Sequence, residues 1–90
     1  MSLILAIEPD RRQAVHLTTL AQGPLNVELV VGDTTERAFE ELGPRVPDLV
    51  LTSLLLSPKD EAALAERLRE LDAAGAHAAV VEDSQQKQHR

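Results

Sequence analysis

The chain has 90 residues, a net charge of −6, one aromatic residue and no cysteine. That length holds one small domain, whose core must come from Leu, Val, Ile and Ala around the lone ring of Phe39. The acidic balance argues against nucleic acid or an anionic membrane as partner, and the lack of cysteine excludes disulfides, thiolate zinc sites and thiol catalysis.

No apolar run approaches the roughly 18 residues of a membrane span. Residues 1–7 are too short and too uncharged at their start for a secretory signal. They read instead as a first strand over residues 3–7, and a cytoplasmic protein of bacterial type is the expectation. Glu8-Pro9-Asp10 ends that strand. Asp10 then caps a helix, with Gln13 completing a D-x-x-Q capping box. The helix runs to about Gln22, with Ala14, Leu17, Leu20 and Ala21 as its apolar stripe, and Gly23-Pro24 stops it. Residues 27–31 are rich in valine and read as a second strand, near a sheet edge because their alternation is partial. Gly32-Asp33-Thr34-Thr35-Glu36 makes a turn and a second capping box, capped by Asp33 or Thr34. Ala38, Phe39 and Leu42 then recur at helical spacing before Gly43-Pro44.

In the next stretch, Pro47-Asp48-Leu49-Val50-Leu51-Thr52-Ser53, Pro47 and Asp48 punctuate the start, Thr52-Ser53 stand at the carboxyl end, and the continuous apolar run between them suits a central parallel strand covered on both faces. Leu54-Leu55-Leu56 leads to Ser57-Pro58-Lys59-Asp60, the clearest helix start in the chain: Ser57 caps, Pro58 takes the first helical position and Asp60 closes an S-x-x-D box. Leu64, Ala65, Leu68 and Leu71 form the stripe of this third helix, and Gly75 terminates it. Residues 78–81, Ala-Ala-Val-Val, make a weak fourth strand, and the chain from Glu82 to Arg90 turns polar. The order β-α-β-α-β-α-β predicts an α/β domain with an open parallel sheet of four strands and helices on both faces. One domain over residues 1–82 and a polar flexible tail over residues 83–90 are expected.

Three segments carry a family likeness. Ile4-Leu5-Ala6-Ile7-Glu8-Pro9-Asp10, the stretch from Gly32 through Ala38-Phe39, and Pro47 through Ser53 resemble the receiver domain of two-component response regulators, a flavodoxin-like fold. The likeness covers roughly residues 3 to 81 and implies the strand order 2-1-3-4. It also implies a further helix, a fifth strand and a fifth helix, which are missing here, so the chain reads as a receiver cut short. A working receiver holds a carboxylate nucleophile, an acidic pair for magnesium, a hydroxyl after the fourth strand and a lysine after the fifth. Carried onto this sequence, the phosphoacceptor position is Ser53, the acidic loop is Glu8, Pro9 and Asp10, and the hydroxyl position falls near Glu82. The lysine has no counterpart. The family's proline falls one position late, at Pro58, with Ser57 in its place.

These replacements change the chemistry. A carboxylate is ionised at neutral pH because its pKa is near about 4. A serine hydroxyl is a poor nucleophile unless a base activates it. Glu8 alone, with Asp10 spent as a cap, makes a poor magnesium cage. His16, His77 and His89 are scattered with no ligand spacing, and no glycine-rich loop follows the first strand. No metal, no cofactor and no catalytic residue is therefore expected. The reading is a non-phosphorylatable pseudo-receiver, not an enzyme, acting in signal transduction through protein–protein contact. Residual phosphoryl or small-ligand binding at the strand ends is the alternative. Without the family's last helix, the face over the third and fourth strands is expected to be bare and the fourth strand to be an open edge. A protein partner or a homodimer at that face or edge follows from exposed apolar surface.

Overall fold

The computed structural model describes residues 2–24, 26–53, 56–76 and 78–83. It consists of β1 (Leu3–Ile7), α1 (Arg11–Gln22), β2 (Glu28–Gly32), α2 (Thr35–Leu42), β3 (Leu49–Ser53), α3 (Pro58–Ala73) and β4 (Ala79–Asp83). The strands form one parallel sheet in the order β2-β1-β3-β4, the order that the receiver resemblance implied. Leu54, Leu55, His77 and the chain beyond residue 83, with His89, lie outside the described residues.

Two strands sit later than their residues suggested. β2 begins at Glu28, not Val27, and takes the sheet edge that its partial alternation predicted. β4 runs past Val81 to Asp83, because Glu82 and Asp83 pair with Thr52 and Ser53 of β3. The boundary expected at residue 82 therefore falls inside a strand. Ladder bonds are made by backbone, so the partner strand sets the length here and side-chain polarity does not.

Register sorts the sheet into two faces. Leu5 aligns with Val30 on one side and Val50 on the other, and Val50 with Val80. Ala6 aligns with Val31 and Leu51, and Leu51 with Val81. On the first face Leu5, Ile7 and Val50 pack with Ala38, Phe39 and Leu42 of α2 and Leu64 of α3. Leu68 and Leu71 pack against that cluster, while Ala65, expected in the same stripe, is exposed. On the second face α1 lies along β2, with Ala21 buried and Ala14, Leu17 and Leu20 half-buried. Phe39 is buried, with the Arg67 guanidinium stacked 4.8 Å from its ring centre, so the charge covers the ring's outer face.

At the amino end of the sheet, Asp48 does more than punctuate. Its carboxylate accepts the Leu3 N–H at 2.9 Å, its N–H donates to the Leu3 carbonyl at 2.8 Å, and its carbonyl accepts the Ala79 N–H at 3.3 Å. One residue thus sets the starting register of β1, β3 and β4.

At the other end of β2, Gly32 lies directly beneath α2. A Cβ added there would press on the Ala38 amide nitrogen and come within 2.5 Å of Ala38 Cα and 2.8 Å of its Cβ. Those are mostly backbone atoms of a packed helix and cannot swing aside. Gly32→Ala is expected to lower stability by about 3 kcal/mol through overpacking, read as a lower urea midpoint at unchanged slope. A loss below about 1 kcal/mol would mean that α2 rides freely over β2.

Candidate functional site

The carboxyl end of a parallel sheet is where ligands usually bind, so the residues after β1, β2 and β3 are the place to look. Glu8 follows β1 and is buried, at 3% exposure. Its N–H donates to the Gly32 carbonyl at 2.9 Å, extending the ladder to β2. Its Oε2 accepts the Asp10 N–H at 3.1 Å. Asp10 in turn caps α1, its Oδ1 accepting the Arg12 N–H at 2.9 Å. The structure therefore brings Glu8, Pro9 and Asp10 together, but as a helix-starting device. The carboxylate of Glu8, ahead of the helix, accepts the cap's own N–H. Pro9 is exposed and its ring supplies no metal ligand.

Ser53 ends β3 and is 4% exposed. Its carbonyl accepts the Leu56 N–H at 3.3 Å, turning the chain toward α3. Neither Ser53 nor Glu8 is without a partner, and no buried side-chain polar atom among the described residues lacks one. Glu82, where the family resemblance put a hydroxyl, aligns with Thr52, one residue short of Ser53. His16 lies exposed on α1, away from this end of the sheet. Among the described residues no three His, Asp or Glu side chains gather as a metal ion would require.

Sequence reading missed the tightest polar contact at this end. Thr35 is buried at the start of α2. Its N–H donates to Asp60 Oδ1 at 3.0 Å and its hydroxyl to the Asp60 carbonyl at 2.8 Å. Asp60 belongs to the first turn of α3, where its own N–H donates to the Ser57 cap at 3.1 Å and its Oδ2 accepts the Ser57 hydroxyl at 3.4 Å. Thr34, not Asp33, caps α2 by accepting the Arg37 N–H at 3.1 Å. Asp33 instead faces Arg37 in an exposed ion pair at 3.8 Å. The S-x-x-D pattern signalled half of this clasp. Its other half lies 25 residues away, beyond the reach of any local pattern.

Two of the hollows nearby border Glu8 or Ser53. One, of about 330 Å³, is bordered by Glu8, Arg11, Asp33, Arg37 and Glu41, charges of both signs that favour no single ligand. The other, of about 450 Å³, runs between α3 and the β3–β4 pair, over Ser53, Leu64, Leu68 and Val80. Val80 of β4 lies across it from Leu64 and Leu68 of α3. Val80 on that face and Val81 on the opposite face are each 47% exposed. Among the described residues, no helix is long and apolar enough to cross a membrane. Comparison with protein-family models, with curated proteins and with solved structures finds no match for this chain.

The Thr35–Asp60 clasp makes a direct prediction. Asp60→Ala leaves a buried amide and a cap hydroxyl without their acceptor and is expected to cost about 2 kcal/mol in urea unfolding. Asp60→Asn keeps an amide oxygen for the Thr35 N–H and should cost less than half of that. Equal losses for the two substitutions would show that the carboxylate charge, not its geometry, matters there.

Proposed function

We propose that this chain is a receiver-like signalling module that works by protein–protein contact and performs no phosphoryl transfer. The observation that carries the reading is β4. Strands of a parallel sheet are ordinarily buried on both faces. Here Val80 and Val81 point to opposite faces and each stays 47% exposed. Apolar surface on both sides of one strand is what a contact site presents.

The state of Ser53 supports the second half. A receiver's reactive group is an ionised carboxylate open to the phosphodonor. Ser53 is a neutral alcohol, buried at 4% exposure, and Glu8 of the acidic loop already accepts the Asp10 N–H. A hydroxyl needs a base to become a nucleophile. The groove beside Ser53 favours one second reading, a small apolar ligand held against Leu64, Leu68 and Val80. A cysteine-free, acidic signalling module belongs in the bacterial cytoplasm, and we place it there.

Two measurements test this. Incubation with a small phosphodonor and magnesium is expected to leave the intact mass unchanged; a gain of one phosphoryl group that Ser53→Ala abolishes would overturn the non-phosphorylatable half. An environment-sensitive apolar dye is expected to bind the protein, and Val81→Arg to weaken that binding. A protein that takes up no dye and sediments as a monomer at every concentration removes the contact half.

A further inference from the structure

One hydrogen-bonding side of β4 is in use. The Ala79 N–H donates to the Asp48 carbonyl at 3.3 Å, and the β3–β4 register continues from there to Asp83. A residue in a strand turns its N–H and C=O to the same side, and the side alternates along the chain. Ala79, Val81 and Asp83 therefore face β3, while the backbone groups of Ala78, Val80 and Glu82 face outward. No strand among the described residues pairs with that outer side.

β4 contains no lysine and no proline, and its two charges, Glu82 and Asp83, stand at its carboxyl end. Its first three residues, Ala79-Val80-Val81, have the composition of an interior strand. An occupant must supply an open backbone edge and apolar side chains on both faces at once, and β4 itself is an element of that kind.

We infer that a second copy of this chain occupies the edge, β4 pairing antiparallel with β4 about a two-fold axis at Val80. The inference rests on the contact reading above and names its partner and geometry. Centred there, Val80 meets Val80 of the second copy and Ala78 meets Glu82, all through outward backbone groups, each pair exchanging both N–H···O bonds. On the opposite face Ala79 meets Val81 as a non-hydrogen-bonded pair, where side chains approach most closely. Both exposed valines are covered, and the two sheets become one. Shifting the axis toward the carboxyl end brings Glu82 opposite or diagonal to its own copy, where like charges repel. Shifting it toward the amino end moves Val81 onto residues that precede the strand. The axis at Val80 avoids both.

Each copy carries a net charge of −6, so long-range repulsion opposes the pairing and salt relieves it. Association with a basic partner would respond to salt in the opposite sense. The decisive experiment is sedimentation of the full chain across a concentration series at low and moderate salt, with dye binding measured in parallel. A monomer–dimer equilibrium that tightens with salt is expected. Val80→Pro deletes an outward N–H that β3 does not use, and Val80→Lys adds an edge charge; each should weaken dimerisation roughly tenfold or more. Hydrogen exchange on the unmodified chain gives an independent measure, since protection of the Val80 and Glu82 amides should rise with concentration. Dye binding by a strictly monomeric protein overturns the pairing but leaves the contact reading standing, as does a dimer that Val81→Arg disperses and both Val80 variants leave intact. Amides at Val80 and Glu82 protected at every concentration in a monomer would assign the edge to the chain's own residues and overturn the pairing. A monomer that binds no dye overturns both.

Discussion

A parallel sheet must be covered twice. Its strands carry apolar side chains on both faces, so each needs a helix above and a helix below, or another layer in place of one. The middle of this sheet meets the requirement in full. Leu5, Ala6 and Ile7 of β1 are completely buried, and so is Val50 of β3. Cover fails progressively toward β4, where Leu51 is half-buried and Val80 and Val81 are 47% exposed. The gradient follows from placement. α2 packs over β1 and β2 and against α3, and α1 lies along β2. Two of the three helices therefore serve the β2 side of the sheet.

The polar residues at the carboxyl end are committed to holding that arrangement. Glu8 and Asp10 start α1, Thr34 starts α2, and Ser57 starts α3. Asp60 joins the last two by accepting the Thr35 N–H while standing in the first turn of α3. In a sheet of this kind the same positions are the usual home of ligand-binding groups. Glu8 and Thr35 are buried and hydrogen-bonded within the fold, while Asp10, Thr34 and Ser57 cap their helices from exposed positions. The architecture offers a site at this end, and its residues use that site to start helices and to fix their separation. The apolar surface of β4 lies at the flank of the sheet, apart from these caps.

Much of this was legible in the sequence because it is local. Continuous apolar runs marked β1 and β3, Gly23-Pro24 and Gly43-Pro44 marked two helix ends, and Ser57-Pro58 marked a helix start. The strand order came from the resemblance to receivers. The features that reading missed are those in which distant residues meet. Asp60 looked like one member of a capping box and is also the acceptor for a buried amide on another helix. Asp48 looked like strand punctuation and ties three strands together at their amino ends. Glu8 was not read as part of the α1 cap, and its carboxylate accepts the Asp10 N–H from ahead of the helix. Capping rules name the residue types that satisfy an amide, and tertiary geometry chooses among the candidates. The reach of β4 was missed for a related reason: polarity argued for a tail, whereas β3 offers backbone partners as far as Ser53.

The exposed flank and the acidic surface act against each other. An apolar edge with no lysine or proline invites pairing with any extended chain. Five of the chain's acidic residues, Asp60, Glu61, Glu66, Glu70 and Asp72, lie on α3, where Glu70 pairs with Arg67 and Glu66 with Arg69. Those pairs are exposed and contribute little to stability. The net charge of −6 instead keeps copies apart at a distance and falls away within a Debye length in salt, about 8 Å at physiological ionic strength. On the proposed pairing, short-range backbone and valine contacts form only when registers match and when ionic conditions let two acidic bodies approach, so association at this edge would depend on alignment and ionic strength together.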